Sequence, residues 1–319
     1  MQYTPAQLHI PDGFLSLVVS LLCWAATAVV LSMAVSRTNK SLGERQVPLM
    51  GIMAAFIFAA QMINFPVAGG TSGHLLGGAL AAIVLGPWAG MLVMTAVIAV
   101  QALLFQDGGL LVMGANILNM GLLTAAIGYG LYRATSGRTR STKLAVAGVA
   151  AWLSVMAGAL ATALQLWLSG TSDLQAVVFA MLGVHGLIGL GEALITVAAL
   201  TFIFQTRPDL LDDTSPSAQS GRGWVVAGIL VSLAVVLLSP LASANPDGLE
   251  RVAADMGFIN AGQSSPFELI PDYTLPFLGE TPLSTILAGA VGVVVVLGLA
   301  YLTGRSLQNR KSQVANRKS

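Results

Sequence analysis

The stretch Gly70-Thr71-Ser72-Gly73-His74-Leu75-Leu76-Gly77-Gly78 leads into an apolar run that ends after about 12 residues, at Gly86-Pro87. A helix that crosses the ~30 Å hydrocarbon core of a bilayer needs roughly 20 apolar residues. Residues 75–86 therefore predict a broken or partial span. Such an interruption is tolerated only where the backbone is buried in protein or lines a cavity. The loop from Asn64 to Gly78 is therefore a candidate site.

The rest of the composition is that of a membrane protein. The 319 residues are 55% hydrophobic and 9% charged, whereas a soluble domain carries about 25% charged residues. A net charge of +1 gives no reason to expect nucleic acid as a partner. The single cysteine, Cys23, excludes an intramolecular disulfide and a cysteine-rich metal site.

Apolar runs long enough to cross a membrane occur along the whole chain. They lie at about 14–36, 48–65, 88–105, 109–132, 144–168, 176–205, 224–243 and 283–303. Together with residues 75–86 they predict an all-α integral membrane protein, a polytopic bundle of about nine transmembrane helices.

Basic residues predict the orientation of this bundle. Arg37, Lys40 and Arg45 follow the first run, and cytoplasmic loops are enriched in lysine and arginine. Alternation from an outer amino terminus places the basic residues of 133–143, 207–222 and 305–318 inside as well, provided that residues 75–86 count as a crossing. The carboxy terminus is then cytoplasmic, and His9 and His74 lie on the same outer side.

The three histidines of the chain are His9, His74 and His185. An ionisable residue at membrane depth is costly and is by default a hypothesis about function. Imidazole is a common ligand of divalent transition metals. A lone histidine is more often structural, but two on one side of the membrane, beside a glycine-rich interruption, favour a metal-binding role for His9 and His74.

Two other functions can be drawn from the same residues. Gly70-Thr71-Ser72-Gly73 matches the GxSG of intramembrane serine proteases, with Ser72 as nucleophile and His185 as base. The spacing around His185 does not fit that family, so this alternative is disfavoured. An ion-coupled secondary metal transporter is the other alternative, and the shortage of deep carboxylates, of which Glu192 is the only one, argues against it.

Other polar residues predicted at membrane depth are expected to support the candidate site. His185 and Glu192 share the seventh predicted span and serve either in helix packing, through a hydrogen bond to each other, or in orienting a metal ligand. Asn64, Ser72 and Gln101 are expected to shape the loop around His74 or to orient a ligand.

The chain divides at a polar segment. Residues 206–223 are rich in proline, serine and glycine and predict a cytoplasmic linker between residues 1–205 and 224–319. No Gly-x-x-x-x-Gly-Lys-Ser/Thr loop occurs. If ATP drives transport, other subunits must therefore supply the ATPase, and the chain itself is expected not to be an enzyme.

Several motifs of residues 8–205 resemble the CbiM/NikM family, the substrate-capture components of energy-coupling-factor transporters for cobalt and nickel. They are residues 9–15, 61–78, 101–109 and 185–196. Residues 224–303, with Pro246-Asp247-Gly248-Leu249-Glu250, resemble the NikN/CbiN-type partner with its PDGLE signature.

This resemblance implies uptake of Ni²⁺ or Co²⁺ across a prokaryotic plasma (inner) membrane, and the fused PDGLE region favours nickel. The ion is the transported ligand, and no cofactor is implied. Expected partners are a CbiQ/NikQ-like coupling subunit, CbiO/NikO-like ATPase subunits and membrane lipid.

The resemblance also implies a ligand set. In the family the metal is held by a terminal amine, the amide and ring nitrogens of the histidine that follows, and the ring of the loop histidine. Those groups correspond to His9 and His74. Seven residues precede Leu8, however, so the amine next to His9 lies in a peptide bond. We expect Leu8 to be the true initiator, read as methionine; alternatively the extension is trimmed or another group is the fourth ligand.

Overall fold

The computed structural model describes residues 9–43, 45–211 and 223–316, and most of this part is helical. The helices are α1 (Leu17–Ser41), α2 (Gln46–Gln61), α3 (Gly78–Leu85), α4 (Pro87–Leu104), α5 (Met113–Asn116), α6 (Thr124–Arg133), α7 (Arg140–Leu168), α8 (Leu174–Thr206), α9 (Gly223–Leu237), α10 (Gly248–Asp255) and α11 (Pro282–Asn316). Short 3₁₀ turns lie at Pro208–Leu210, Ser239–Leu241, Ile259–Ala261 and Pro271–Tyr273. The predicted helical class is confirmed.

Within the described residues, 6 helices are long and apolar enough to cross a membrane. They span Leu17–Lys40, Pro87–Leu104, Arg140–Leu168, Leu174–Thr206, Gly223–Leu241 and Pro282–Arg310. The chain is therefore a multi-pass membrane protein. A count of nine crossings stays a prediction, because the remaining apolar runs form shorter or interrupted helices. Most of the linker predicted at 206–223 lies outside the described residues.

The interrupted span is shorter than the sequence predicted. Helix α3 has 8 residues, all of them buried. It begins after Gly77, whose φ is +81°, and ends before Gly86, whose φ is also +81°. Left-handed φ values are easily adopted only by glycine, so the two glycines set both ends of the helix. Because α3 is enclosed by protein, its short length exposes no backbone polar groups to lipid.

Two irregular elements were not predicted. Strand β1 (Phe65–Val67) pairs antiparallel with β2 (Thr71–Gly73), so the loop before His74 is a small hairpin. The helix predicted at 109–132 begins only at Met113, and α5 and α6 are joined by a π-helix at Ile117–Leu123. π-Helical segments are rare and frequently occur at functional sites. Apolar periodicity detects neither element, since the strands of the hairpin have only three residues each and the π-helix lies within an apolar run.

The last two long helices pack against the earlier ones. A Cβ atom on Gly292 of α11 would lie 2.9 Å from Cζ of Phe105, and one on Gly228 of α9 would lie 2.5 Å from Cγ2 of Ile52 in α2. These glycines let the helices approach closely. The segments between α9 and α11, including α10, lie at the end of the bundle that carries His9 and His74.

Close packing of α3 against α6 generates a prediction from two glycines of α6. A Cβ on Gly128 would lie 2.6 Å from Cα of Ala79, whereas a Cβ on Gly130 would meet nothing within 4 Å. Gly128→Ala is expected to lower the free energy of unfolding by about 1–3 kcal/mol through overpacking. Gly130→Ala is expected to be neutral or slightly stabilising, because alanine favours the helix.

Thermal unfolding of the two variants in detergent micelles, followed by circular dichroism, measures this difference. Equal shifts of the unfolding midpoint in the two variants would contradict the close approach of α3 and α6.

Candidate metal site

The segment that carries His9 is fixed in the protein by backbone hydrogen bonds. The Asn116 side chain pairs with both backbone groups of Ile10: the amide of Ile10 donates to Oδ1 of Asn116 at 3.1 Å, and Nδ2 of Asn116 donates to the Ile10 carbonyl at 3.0 Å. The carboxylate of Asp12 accepts from the amides of Leu110 and Val112 at 3.0 and 3.1 Å. His9 is thereby held inside the protein, with its side chain fully buried.

The loop that carries His74 is fixed from α8 and α2. Glu192 of α8 is fully buried and accepts hydrogen bonds from the amides of Leu76 at 2.6 Å and Gly77 at 2.9 Å. Gln61 at the end of α2 donates to the Leu76 carbonyl at 2.8 Å. Backbone groups freed by the interruption before α3 are therefore satisfied by two buried side chains, and His74 is fixed just before them.

These two segments bring the rings of His9 and His74 together. Their centroids lie 5.6 Å apart, with the planes at 71°. An ion about 2 Å from one nitrogen of each ring can bridge rings at this separation. The rings face a cavity of about 60 Å³, lined also by His185, Asn119 and Asp247.

Hydrogen bonds define the protonation of both rings. His9 Nδ1 lies 3.1 Å from the Asp107 carbonyl oxygen, and His74 Nδ1 lies 3.0 Å from the Leu75 carbonyl oxygen. A carbonyl oxygen only accepts, so Nδ1 carries the proton in each ring and Nε2 carries the lone pair that a metal requires. His9 Nε2 is buried and has no hydrogen-bond partner among the described residues.

Additional ligands are needed to complete a metal site. Within the described residues no group of three or more His, Cys, Asp or Glu side chains could hold a metal ion. The amine proposed as a ligand belongs to residues 1–8, outside the described part. A chelate that includes the His9 amide closes a six-membered ring only through Nδ1, which here faces Asp107. Such a chelate therefore requires the His9 ring to turn.

His185, which was predicted as a supporting residue, lies at the cavity but not beside Glu192. Its Nδ1 donates to the Met181 carbonyl oxygen at 2.8 Å, and its ring packs against Gly248, the first residue of α10. A hydrogen bond between His185 and Glu192 does not form, because Glu192 bonds instead to the amides of Leu76 and Gly77.

Asn64, Ser72 and Gln101 lie outside the cavity lining and contact the second region of the chain. The Ser72 hydroxyl donates to the Asn245 carbonyl at 2.7 Å, and the Asn64 carbonyl accepts from the Ser243 amide at 2.8 Å. Gln101 donates from Nε2 to the Tyr273 hydroxyl at 3.3 Å. These residues shape the His74 loop and its surroundings through the segments that follow α9.

Sequence reasoning missed Asp107, Asp247 and Tyr273 as members of the site. Asp247 caps α10 and lines the cavity, and burial raises the pKa of its carboxyl to about 8. Asp107 is 1% exposed and lies beside His9. In the sequence, the motif Pro246-Asp247-Gly248-Leu249-Glu250 indicated only a resemblance to a family. Nothing around Tyr273 in the sequence distinguishes it from an ordinary loop residue.

Comparison with known proteins identifies the families that the two regions of the chain match. Residues 9–210 match the CbiM family, described as a cobalt uptake substrate-specific transmembrane region, and residues 222–309 match the PDGLE domain.

Individual relatives cover the chain more completely. A relative from Archaeoglobus fulgidus, provisionally named a fused nickel transport protein NikMN, is 36% identical over 93% of this chain and 98% of its own length. The fused nickel transport protein NikMN of Rhodobacter capsulatus is 29% identical over 95% of this chain and 99% of its own.

A solved structure also resembles the chain. The crystal structure of a truncated transition metal transporter shares 35% identity and a TM-score of 0.56, covering 62% of this chain and 99% of that one. The family match covers more than half of the sequence, and it spans both segments that carry the site histidines. The chain therefore belongs to the CbiM family and carries a PDGLE domain after its CbiM region.

Proposed function

We propose that this protein is the metal-capturing subunit of an energy-coupling-factor transporter that takes up Ni²⁺, or Co²⁺, across a prokaryotic plasma membrane. The observation that carries the proposal is the approach of two buried imidazole rings, from segments 65 residues apart, at a common cavity. His9 and His74 are its metal ligands, and the captured ion is the substrate.

The donor chemistry supports a late divalent transition metal. Imidazole nitrogens suit nickel, cobalt, copper and zinc, whereas magnesium and calcium take oxygen donors. Glu192, the buried carboxylate nearest to the His74 loop, is occupied by two backbone amides and is not available to an ion. Nickel is favoured over cobalt because the fused relatives are named nickel transport proteins.

The charge distribution supports capture from the outer face. Arg140 lies over the Phe204 ring at 5.4 Å and Arg207 over the Trp224 ring at 4.9 Å. These cations lie at the ends of α6–α9 remote from the histidines. We place that end in the cytoplasm, where basic residues are enriched. A coupling subunit and ATPase subunits on other chains complete the transporter.

A hydrolase function has less support. Ser72 is fully buried, and its hydroxyl donates to the carbonyl oxygens of Asn245 and Pro246 at 2.7 and 3.3 Å. A serine nucleophile instead donates to its base. His185 donates from Nδ1 to the Met181 carbonyl, so Ser72 and His185 bond to different backbone carbonyls and not to each other.

The first prediction uses the three histidines as a matched set in binding experiments. Purified full-length protein with His9→Ala or His74→Ala is expected to bind Ni²⁺ more than about 100-fold more weakly, which exceeds the loss typical of a residue that only orients a ligand. His185→Ala is expected to weaken binding by less than about 10-fold. Isothermal titration calorimetry in detergent micelles measures all three, and an equal loss in His185→Ala would contradict the ligand assignment.

The second prediction separates transport from hydrolysis in cells. Uptake of Ni²⁺ by cells that produce the chain with its coupling and ATPase subunits is expected to disappear with His74→Ala. Ser72→Ala is expected to retain most uptake, since it removes hydrogen bonds worth about 1 kcal/mol. Complete loss of activity in Ser72→Ala, at normal protein levels in the membrane, would favour the hydrolase instead.

A further inference from the structure

One carboxyl group lines the cavity that the two proposed metal ligands face. Among the described residues that line it, Asp247 is the only one with an acidic side chain, and it is 4% exposed. Three other carboxylates are buried nearby but lie outside the lining, and hydrogen bonds direct each of them at protein donors: Asp12, Asp107 and Glu192. The carboxyl group that shares the cavity with the histidines therefore belongs to the PDGLE motif.

Two glycines place Asp247 and His74 against the same side chain. A Cβ atom on Gly73, the residue before His74, would lie 2.6 Å from Cγ2 of Ile188. One on Gly248, the residue after Asp247, would lie 2.7 Å from Cδ1 of Ile188. Because both glycines pack on one side chain of α8, the residues next to them enter the same part of the cavity.

Hydrogen bonds fix the segment that carries Asp247. The Ser72 amide of strand β2 donates to the Pro246 carbonyl at 2.8 Å, and the Ser72 hydroxyl donates to the Asn245 carbonyl at 2.7 Å. Oδ1 of Asp247 accepts from the Glu250 amide at 2.7 Å and thereby caps α10. The position of the carboxyl group is therefore set by the hairpin on one side and by the first turn of α10 on the other.

A divalent ion in this cavity needs a compensating charge. Imidazole ligands are neutral whichever ring nitrogen binds, so His9 and His74 leave the double charge of the ion uncompensated. A charge taken out of water is costly unless an opposite charge lies close to it, and the attraction between the two grows as the dielectric constant falls. Burial raises the pKa of the Asp247 carboxyl to about 8, and a cation in the same cavity favours its ionised form.

We infer that Asp247 of the PDGLE motif is an ion-binding residue of the cavity: its carboxylate compensates the charge of the divalent cation that His9 and His74 hold. The inference rests on the proposed function and assigns part of the binding itself to the second region of the chain. Within the described residues no group of three or more His, Cys, Asp or Glu side chains could hold an ion, so the carboxylate acts from beyond the direct ligands. Removing its charge therefore weakens binding without removing a ligand.

The test sets charge against helix capping with two variants of Asp247. Asp247→Asn removes the charge and keeps a residue that caps a helix as well as aspartate does. Asp247→Glu keeps the charge, but glutamate is not among the residues that cap well. In purified full-length protein titrated with NiCl₂, Asp247→Asn is expected to weaken binding about 10- to 100-fold, and Asp247→Glu by less than about 5-fold.

A second capping aspartate supplies the matched control. Asp173 caps α8 by accepting from the Ala176 amide at 3.0 Å, but it is exposed and lies outside the cavity lining. Asp173→Asn removes the same charge in the same structural role and is expected to bind Ni²⁺ like the unaltered protein. A loss equal to that of Asp247→Asn overturns the inference, because the effect would then not depend on a place in the cavity.

The order of the two Asp247 variants decides between charge and capping. If Asp247 only caps α10, Asp247→Glu binds Ni²⁺ more weakly than Asp247→Asn, and the unfolding midpoint of the metal-free protein falls in the same order. That order overturns the inference, as do equal losses in the two variants or an unchanged affinity in Asp247→Asn. Failure of the unaltered protein to bind Ni²⁺ or Co²⁺ overturns the proposed function itself.

Discussion

The site depends on one constraint: backbone amides at membrane depth must find partners within the protein. The chain interrupts a span to place His74, and the amides of Leu76 and Gly77 then lie before the first turn of α3. Glu192 accepts from both amides and is itself fully buried. Lipid offers no hydrogen bonds, so without this carboxylate the loop would leave at least two buried donors unpaired. The buried glutamate is thus explained by backbone satisfaction rather than by contact with an ion.

The sequence predicted the helical bundle and the meeting of His9 and His74 because both depend on long-range patterns. The apolar runs can be read directly from the sequence, and the basic residues between them predict that the two histidines lie on the same side of the membrane. The sequence overestimated the length of α3, since Leu75 and Leu76 are apolar but belong to the loop before the helix. The hairpin of Phe65–Val67 and Thr71–Gly73 was not predicted because strands of three residues are too short to show an alternating pattern within a predicted loop. The π-helix at Ile117–Leu123 was not predicted because its apolar composition does not distinguish it from a regular span.

Supporting residues were predicted less well than the two histidines. The sequence predicted a hydrogen bond between Glu192 and His185, which lie on the same helix. Glu192 instead accepts a hydrogen bond from a loop that lies more than 100 residues away in the sequence. Asp107 and Tyr273 come from different regions of the chain, and their hydrogen bond depends on how α11 and the segment before it pack. Such contacts are set by tertiary structure, and no local pattern in either segment encodes them.

The proposed ligands affect which ions the cavity can hold. In the proposed site the rings of His9 and His74 each replace a water molecule of the ion's hydration shell with a protein nitrogen. An ion held by both histidines would therefore give up part of its hydration shell. Magnesium dehydrates reluctantly and gains little from imidazole, so even its far higher abundance does not make it an effective competitor. Dehydration thus adds a second filter to ligand chemistry.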